Sequence, residues 1–348
     1  MLTAIGPASM QSEQAQAGPA SQCLSNKKET KVAALFNRQR GNDIRRGSLE
    51  KRTRKLFHEL HVVQGDDPRI YQRLRKLLSP AYLNVARNYF CGKVCLDAGC
   101  GSNANATYSM LAHGARKVFA FDLDETILKS APKYLRLFKG RYELSTGTVL
   151  DLHYRDDFFD FVHCAGVLHH ARDVYQGLAE LARVTKPGGL LVFSVYGKGG
   201  VAREITSLLR DKYDKDKEFQ YVIDNLTERQ LQDGVTWILD EMAGQGDSWG
   251  KKIPRGLIRR LFDKDLVLTI KDRIKAPIYH EDSEEELVAA LKGHGFRKIE
   301  RLTRYPRYQN LRRFLSPLYY RYDHPLARLF YGSGFVQLKA VKEGKGRR

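Results

Sequence analysis

Val94-Cys95-Leu96-Asp97-Ala98-Gly99-Cys100-Gly101-Ser102-Asn103 decides the fold of this 348-residue chain. Four mostly apolar residues run into an acid. Gly99 and Gly101 then allow backbone angles and close approaches that a side chain would block. The stretch predicts a buried strand, a glycine turn and the start of a helix. In an α/β sheet the carboxyl end of such a strand is where a nucleotide-like ligand meets the main chain.

Outward from this stretch, strand and helix alternate between Gly92 and Gly200. Strands are predicted at Val94 to Asp97, Val118 to Asp122, Tyr142 to Thr146, Phe159 to Ala165 and Leu190 to Tyr196. Helical spacing fills Asn105 to His113, Glu125 to Phe138 and Asp173 to Val184. The alternation implies a parallel sheet covered by helices on both faces. Ser283-Glu284-Glu285-Glu286 has a capping-box pattern ahead of Leu287 and Leu291, and strands are predicted at Phe296 to Thr303 and Gly334 to Val341. Residues 201–282 interrupt the rhythm with helices that carry Ile205, Leu208 and Leu209, then Leu231, Val235, Ile238 and Met242. Trp237, at helical spacing, is read as core.

Upstream, residues 1–30 have the Ala, Gln, Ser and Gly content of a disordered start. Residues 31–90 are read as a helical lid. Within it, Lys31 to Arg46 is basic and partly helical. Leu49, Leu56, Leu60 and Val63 mark an amphipathic helix, Asp66-Asp67-Pro68 opens another, and Ala81 to Phe90 forms a short third. The remaining divisions are a core at 91–200, a helical insertion at 201–282 expected to cap the ligand together with 31–90, and a final part at 283–348 that contains a basic, aromatic insertion at 304–333.

The formal charge of +19 is concentrated at the ends. Residues 1–90 hold 16 Lys and Arg against 7 Asp and Glu, and residues 301–348 hold 12 against 2. Clustered cations attract nucleic acid, an anionic membrane surface or an acidic substrate, or simply solvate the protein. Between Arg304 and Tyr331, six arginines alternate with aromatic residues such as Tyr305, Phe314 and Tyr320. The five cysteines include no CxxC pair and no zinc spacing, which fits a reducing, cytoplasmic setting and no metal. No apolar run approaches the roughly 18 residues of a membrane span. The first 26 residues, which lack Lys and Arg, match neither a secretory signal nor a transit peptide.

Two acids follow the glycine turn at telling places. Asp122 ends the second strand, where a carboxylate can accept hydrogen bonds from a ribose diol. Asp151 follows the third strand beside Leu150, where it can meet an adenine amino group against an apolar wall.

Taken together, Val94 to Gly101, Phe119 to Asp122, Phe159 to Val162 with Val167-Leu168-His169-His170, and Leu181 to Gly189 with its Lys186-Pro187-Gly188-Gly189 turn resemble the class I S-adenosylmethionine (SAM) methyltransferases. The nearest likeness is to the ubiquinone/menaquinone-biosynthesis-like branch, which acts on small molecules. It covers about residues 90 to 200. The resemblance implies a Rossmann-like, doubly wound, seven-stranded sheet with the last strand antiparallel, and SAM bound across the strand ends. It implies that Asp97, Gly99, Cys100 and Gly101 surround the methionine part of SAM, and that Asp122 holds the ribose. Leu123 and Leu150 then flank adenine, Asp151 reaches its amino group, and Ala165, Gly166 and Val167 underlie the sulfonium. Asn103 stands where many members have a third glycine; asparagine tolerates positive φ.

Methyl transfer needs an aligned nucleophile more than an acid or base. Where the nucleophile starts protonated, His169 and His170 are the candidate catalytic bases. The expected enzyme therefore moves a methyl group from SAM to O, N or C of a small or amphipathic acceptor, with peripheral contact to an anionic membrane as a possible partner interaction. The alternatives are methylation of RNA through the basic ends, and a SAM-binding regulatory protein without transfer activity. Tyr196, Arg203, Trp249, Tyr279 and His280 are the residues expected near the acceptor.

Overall fold

Strand β1, Val94–Ala98, is buried at all of its positions. Its side chains alternate between two cores. Val94, Leu96 and Ala98 join one, and Cys95 joins the other, as the two-residue period of a strand in the middle of a covered sheet requires. The computed structural model describes residues 48–62, 72, 75–76, 78–246, 248–302 and 324–344. Contacts divide the chain after Leu49, and the account below is of the unit from Glu50 onward. The expected features at 1–46, the helix opening at Asp66, and the arginines from Arg304 to Arg321 lie outside the described residues.

The elements follow in chain order. Helix α1 spans 48–62. The sheet core then runs through β1, α2 (Asn105–Ala112), β2 (Lys117–Asp122), α3 (Ile127–Leu135), β3 (Tyr142–Thr146), β4 (Phe159–Ala165), α4 (Val174–Val184) and β5 (Thr185–Tyr196). Six helices come next: α5 (Val201–Lys215), α6 (Lys217–Asn225), α7 (Glu228–Gly244), α8 (Ser248–Lys252), α9 (Arg255–Leu261) and α10 (Lys264–Lys275). The chain closes with α11 (Glu284–Gly293), β6 (Phe296–Arg301), α12 (Pro325–Tyr331) and β7 (Phe335–Lys342).

The seven strands form one sheet in the order β3-β2-β1-β4-β5-β7-β6. All pairs from β3 to β5 are parallel, and β7 runs antiparallel to both β5 and β6. This is the expected seven-stranded Rossmann-like sheet with a reversed last strand. Its strand order turns back between β1 and β4, so the loops leaving these neighbours diverge and open a crevice at their carboxyl ends. One face of the sheet is covered by α4 and α11, whose Leu178, Leu181, Leu287 and Leu291 join Leu96 and Val162. On the other, Met110 and Leu111 of α2 and Ala131 and Leu135 of α3 pack with Phe161 and Val192.

Local chemistry explains most boundaries. Asp173 caps α4 by accepting from the backbone N–H groups of Tyr175 and Gln176. The capping box at Ser283 and Glu286 is formed, and Thr227 with Gln230 makes a second one at α7.

Four expectations are corrected. Residues 81–90 form linked turns and not a helix, because Asn84 takes φ 51° and breaks the helical path. Leu83 and Phe90 nonetheless stay fully buried. Lys186 to Gly189 lies within β5 and not before it, as an irregularity opposite Phe159 to Phe161 with Gly188 at φ 77°. Among the non-glycine residues of the glycine turn, positive φ falls on Ala104, at φ 45°, and not on Asn103. Trp237 is 64% exposed, and so are Ile205 and Leu208 in large part, so the apolar periodicity of α5 and α7 is not all core.

Phe161 is completely buried and meets Phe90 edge-on, with ring centroids 5.0 Å apart. Phe161→Ala is expected to lower unfolding free energy by about 3–5 kcal/mol, whereas Leu208→Ala on exposed α5 stays within about 0.5 kcal/mol. Urea denaturation of both variants checks the contrast.

Candidate active site

The turn after β1 is held by the end of β2. The Phe121 carbonyl accepts from the backbone N–H groups of Gly99 and Cys100 at 2.8 and 3.0 Å, and Asp122 Oδ2 accepts from Gly101 N–H at 2.9 Å. Gly99, at φ 74°, faces the loop after β4 so closely that a Cβ there would lie 2.2 Å from Val167 Cγ2. Below the turn, Asp97 Oδ2 accepts from the Thr107 backbone N–H and hydroxyl at 2.9 and 2.6 Å, and its Oδ1 lies 2.9 Å from His163 Nδ1. That buried carboxylate ties β1 to α2 and β4.

A cavity of about 330 Å³ opens at these strand ends, within the size range of small-molecule sites. Gly99, Phe121, Asp122, Leu123, Gly147 to Leu150, and Ala165 to Val167 line one part of it. The loop carrying Leu150 is fixed from α4, where Gln176 Nε2 donates to the Leu150 carbonyl at 2.9 Å and Glu180 accepts from Leu152 N–H at 2.8 Å.

The other part is walled by α1, α10, the residues after β4 and Tyr196 at the end of β5. Glu50, Thr53, Arg54, Phe57, Leu60 and His61 share one face of α1, and Asp265, Leu268, Thr269, Asp272 and Arg273 share one face of α10. Leu56 and Leu60 pack with Leu268 and Ala276, which joins the two helices through an apolar contact beside the cavity. His58 Nδ1 lies 2.7 Å from Asp124 Oδ2, which fastens α1 to the loop after β2. Burial pushes the Asp124 carboxyl up, but hydrogen bonds from Thr126 and His58 outweigh it and hold it below the usual range.

The electrostatics of this wall centre on Asp272. Its Oδ2 accepts from the Tyr196 hydroxyl at 2.7 Å, and its Oδ1 lies 3.4 Å from His170 Nε2. His170 Nδ1 in turn lies 2.8 Å from the Ile278 carbonyl, so both its ring nitrogens face acceptors. Phe57 packs on His170 with centroids 4.6 Å apart. Burial raises the Asp272 carboxyl, but His170, Tyr196 and Arg273 together bring it below its ordinary value. Burial lowers His61, whose Nδ1 has no hydrogen-bond partner among the described residues.

The sequence-predicted residues divide into three groups. Gly99, Asp122, Leu123, Leu150, Ala165, Gly166 and His170 meet at the cavity. Asp97, Cys100 and Gly101 are not part of its lining. Asp97 is engaged inside the sheet, and Cys100 is a thiol pushed up by burial and by Asp97 and Asp122. Gly101 faces the His61 ring. Asp151 and His169 stand apart. Asp151 is exposed, and His169 is stacked against Tyr196 at 3.9 Å, which corrects its reading as a base aimed at a ligand. Of the residues expected near an acceptor, Tyr196 lines the cavity. Buried Arg203 instead donates to the Gly197 and Gly334 carbonyls and to the Tyr279 hydroxyl.

Sequence reasoning placed a lid at 31–90 and an acceptor cap at 201–282, but it did not name the residues of α1 and α10 that face the cavity. A signal was present. Residues 50, 53, 54, 57 and 61, and again 265, 268, 269, 272 and 273, follow helical spacing while mixing acids, arginines and aromatics, a pattern that an apolar search passes over.

Residues 96–193 match the family described as Methyltransferase domain. The chain is 34% identical over 128 residues to the mitochondrial ubiquinone biosynthesis O-methyltransferase of Schizosaccharomyces pombe, covering 36% of this chain and 46% of that one. It is 33% identical over 147 residues to a demethylmenaquinone methyltransferase of Geobacillus kaustophilus, covering 42% and 63%. The chain thus spans about half the length of these relatives. A putative methyltransferase of Haloferax volcanii, solved with the Trm112 activator, aligns over 83% of this chain and 98% of its own at 15% identity, with a TM-score of 0.48.

Burial holds His169 well below its ordinary value of 6.5, ahead of the effects of His170, Arg203 and Arg273. On unfolding it regains the ordinary value, so the unfolded chain binds more protons below that pH. The stability linked to a neutral His169 is therefore complete above 6.5 and lost as pH falls below it. Urea midpoints between about pH 7 and pH 5 should drop less steeply in His169→Gln than in the wild type.

Proposed function

We propose that this chain, whose residues 96–193 match the family described as Methyltransferase domain, transfers a methyl group from SAM to a small or amphipathic acceptor. One observation carries this reading. Of the residues that the resemblance assigns to SAM, Gly99, Asp122, Leu123, Leu150 and Ala165 to Val167 line one part of a single cavity, and two helices wall much of the rest of it.

The fit can be argued from the residues. Asp122 accepts from two backbone N–H groups, from Gly101 to Oδ2 and from Asp124 to Oδ1. Each carboxylate oxygen keeps a further lone pair, which suits ribose hydroxyls. Leu123 and Leu150 supply apolar surface for a base, and the Cα of Gly166 faces open space. When bound, SAM supplies a methyl group on a positively charged sulfur that is its own leaving group. The protein's part is to orient the acceptor and exclude water, and Phe57, Leu60 and Leu268 place apolar surface where that exclusion is needed. Asp97, Cys100 and Gly101 shape the turn and do not line the cavity, and the exposed Asp151, next to Leu150, is the residue that the resemblance assigns to the adenine amino group.

Calorimetry with SAM and with S-adenosylhomocysteine tests this reading. Binding by the wild type is expected, with loss in Gly99→Val, whose side chain would clash with Val167. Asp122→Asn should weaken binding about 10–100-fold, the scale of hydrogen bonds to a charged group. No binding of either compound by the wild type would refute it.

A further inference from the structure

Helix α7 turns one side to the protein and leaves the other bare. Gln232 Nε2 donates to the Phe262 carbonyl at 2.7 Å, and Gly250 of α8 lies against Leu239 and Ala243, so the elements that follow α7 cover one side of it. Leu239 is the one buried residue among those described in α7. On the opposite side Gln230, Gly234, Trp237 and Glu241 recur at intervals of three and four, and all are exposed. Trp237 is 64% exposed and Ile238 beside it 50%, while the Cα of Gly234 faces open space. Exposed apolar surface rimmed by polar groups is the mark of an interaction site.

We propose that this side of α7 docks on the same side of α7 in a second copy of the chain, antiparallel about a two-fold axis, with Trp237 laid over Gly234 of the partner subunit. A two-fold contact requires a surface that complements itself, and the strip carries both halves of one. A bulky ring stands one helical turn from a glycine with vacant space above it. Arg229 and Gln230 lie at one end, Asp240 and Glu241 at the other. With Trp237 over the partner's Gly234, Gln230 meets the partner's Glu241, and Arg229 comes within reach of the partner's Asp240. The antiparallel arrangement also sets the two helix dipoles head to tail.

The charged groups of the strip are free to take part. Arg229 pairs with Asp233 at 3.6 Å and Asp240 pairs with Arg255, but both pairs lie at the surface, where such contacts are weak and rearrange at little cost. An anionic bilayer suits this side less well than a second copy does, because Asp233, Asp240 and Glu241 outnumber Arg229 among its exposed charges. The contact is small. Helix α7 has 17 residues and is about 25 Å long. A single helix pair of that length falls at the low end of specific interfaces, so the dimer is reversible, with a dissociation constant on the order of 10 µM. No residue of α7 lines the cavity, so association leaves the site open.

Sedimentation velocity of the full chain tests the proposal, from about 1 to 200 µM at about 0.15 M salt, which screens repulsion between chains of formal charge +19. A monomer–dimer equilibrium is expected. Trp237→Glu should raise its dissociation constant about tenfold or more, as loss of a central aromatic anchor does. Arg229→Glu and Glu241→Arg should each weaken association. Both changes in one chain should restore most of it, because the basic and acidic ends have then only exchanged places. Thermal midpoints close to the wild-type value show that each variant folds. Emission gives a second readout. Trp237 is one of two tryptophans, so in Trp249→Phe it reports alone, and its emission should shift to the blue as the chain concentration rises. A chain that stays monomeric throughout, a dimer that Trp237→Glu leaves intact, or a double reversal that dissociates as fully as the single ones would overturn the proposal. So would a monomer whose Trp237 emission shifts only with phosphatidylcholine–phosphatidylglycerol vesicles, a result that assigns the strip to lipid.

Discussion

Contact without a side chain between Gly99 and the loop after β4 is the constraint on which the site depends. A Cβ at Gly99 would fall 2.2 Å from Val167 Cγ2, far inside any real contact. Only glycine, at φ 74°, lets the β1 turn lie against that loop at the point where the strand order reverses. The approach is fixed from both sides. Phe121 and Asp122 hold the turn from β2, and Asp97 anchors its base to Thr107 and His163. Ala104, fully buried at φ 45°, adds a left-handed residue that costs about 1–2 kcal/mol and must be outweighed by these bonds and by packing.

A rigid floor of this kind leaves selectivity to the walls. Helices α1 and α10 meet through Leu56, Leu60 and Leu268, so their apolar edges supply cohesion while their neighbouring positions face the cavity. His58 on Asp124 anchors α1 to the same β2 loop that carries Asp122. The wall and the floor are thereby coupled through a few residues at the end of one strand. Tyr196, at the end of β5, does the same for α10 through its hydroxyl on Asp272.

The sheet was legible in the sequence because each strand and helix announces itself locally. Val94 to Ala98 is a short apolar run, Asp173 caps α4, and Ser283 with Glu286 forms a capping box. The cavity floor was legible for a related reason, since loops that follow strand ends lie side by side in a parallel sheet. Gly99, Asp122, Leu150 and Gly166 were therefore predictable neighbours. The inward placement of Asp97 and His169 was not legible, because a polar residue at or beyond a strand end can turn inward as easily as outward, and partners far along the chain decide which. For Asp97 the partners are Thr107 and His163, and for His169 the decisive neighbour is the Tyr196 ring. The walls were legible only as segments, 31–90 and 201–282, and not as residues, because α1 and α10 lie more than 200 positions apart and no local pattern shows that Phe57 and Asp272 face one space.

A crystal structure of the chain with S-adenosylhomocysteine tests the central claim most directly, namely that the cavity above the β1 turn is divided between cofactor and acceptor. The account predicts ribose hydroxyls on Asp122, the base between Leu123 and Leu150, and sulfur beside Ala165 to Val167 with open space toward Asp272. Product bound elsewhere, or filling the space between Tyr196 and α1 with Asp122 left untouched, would contradict it.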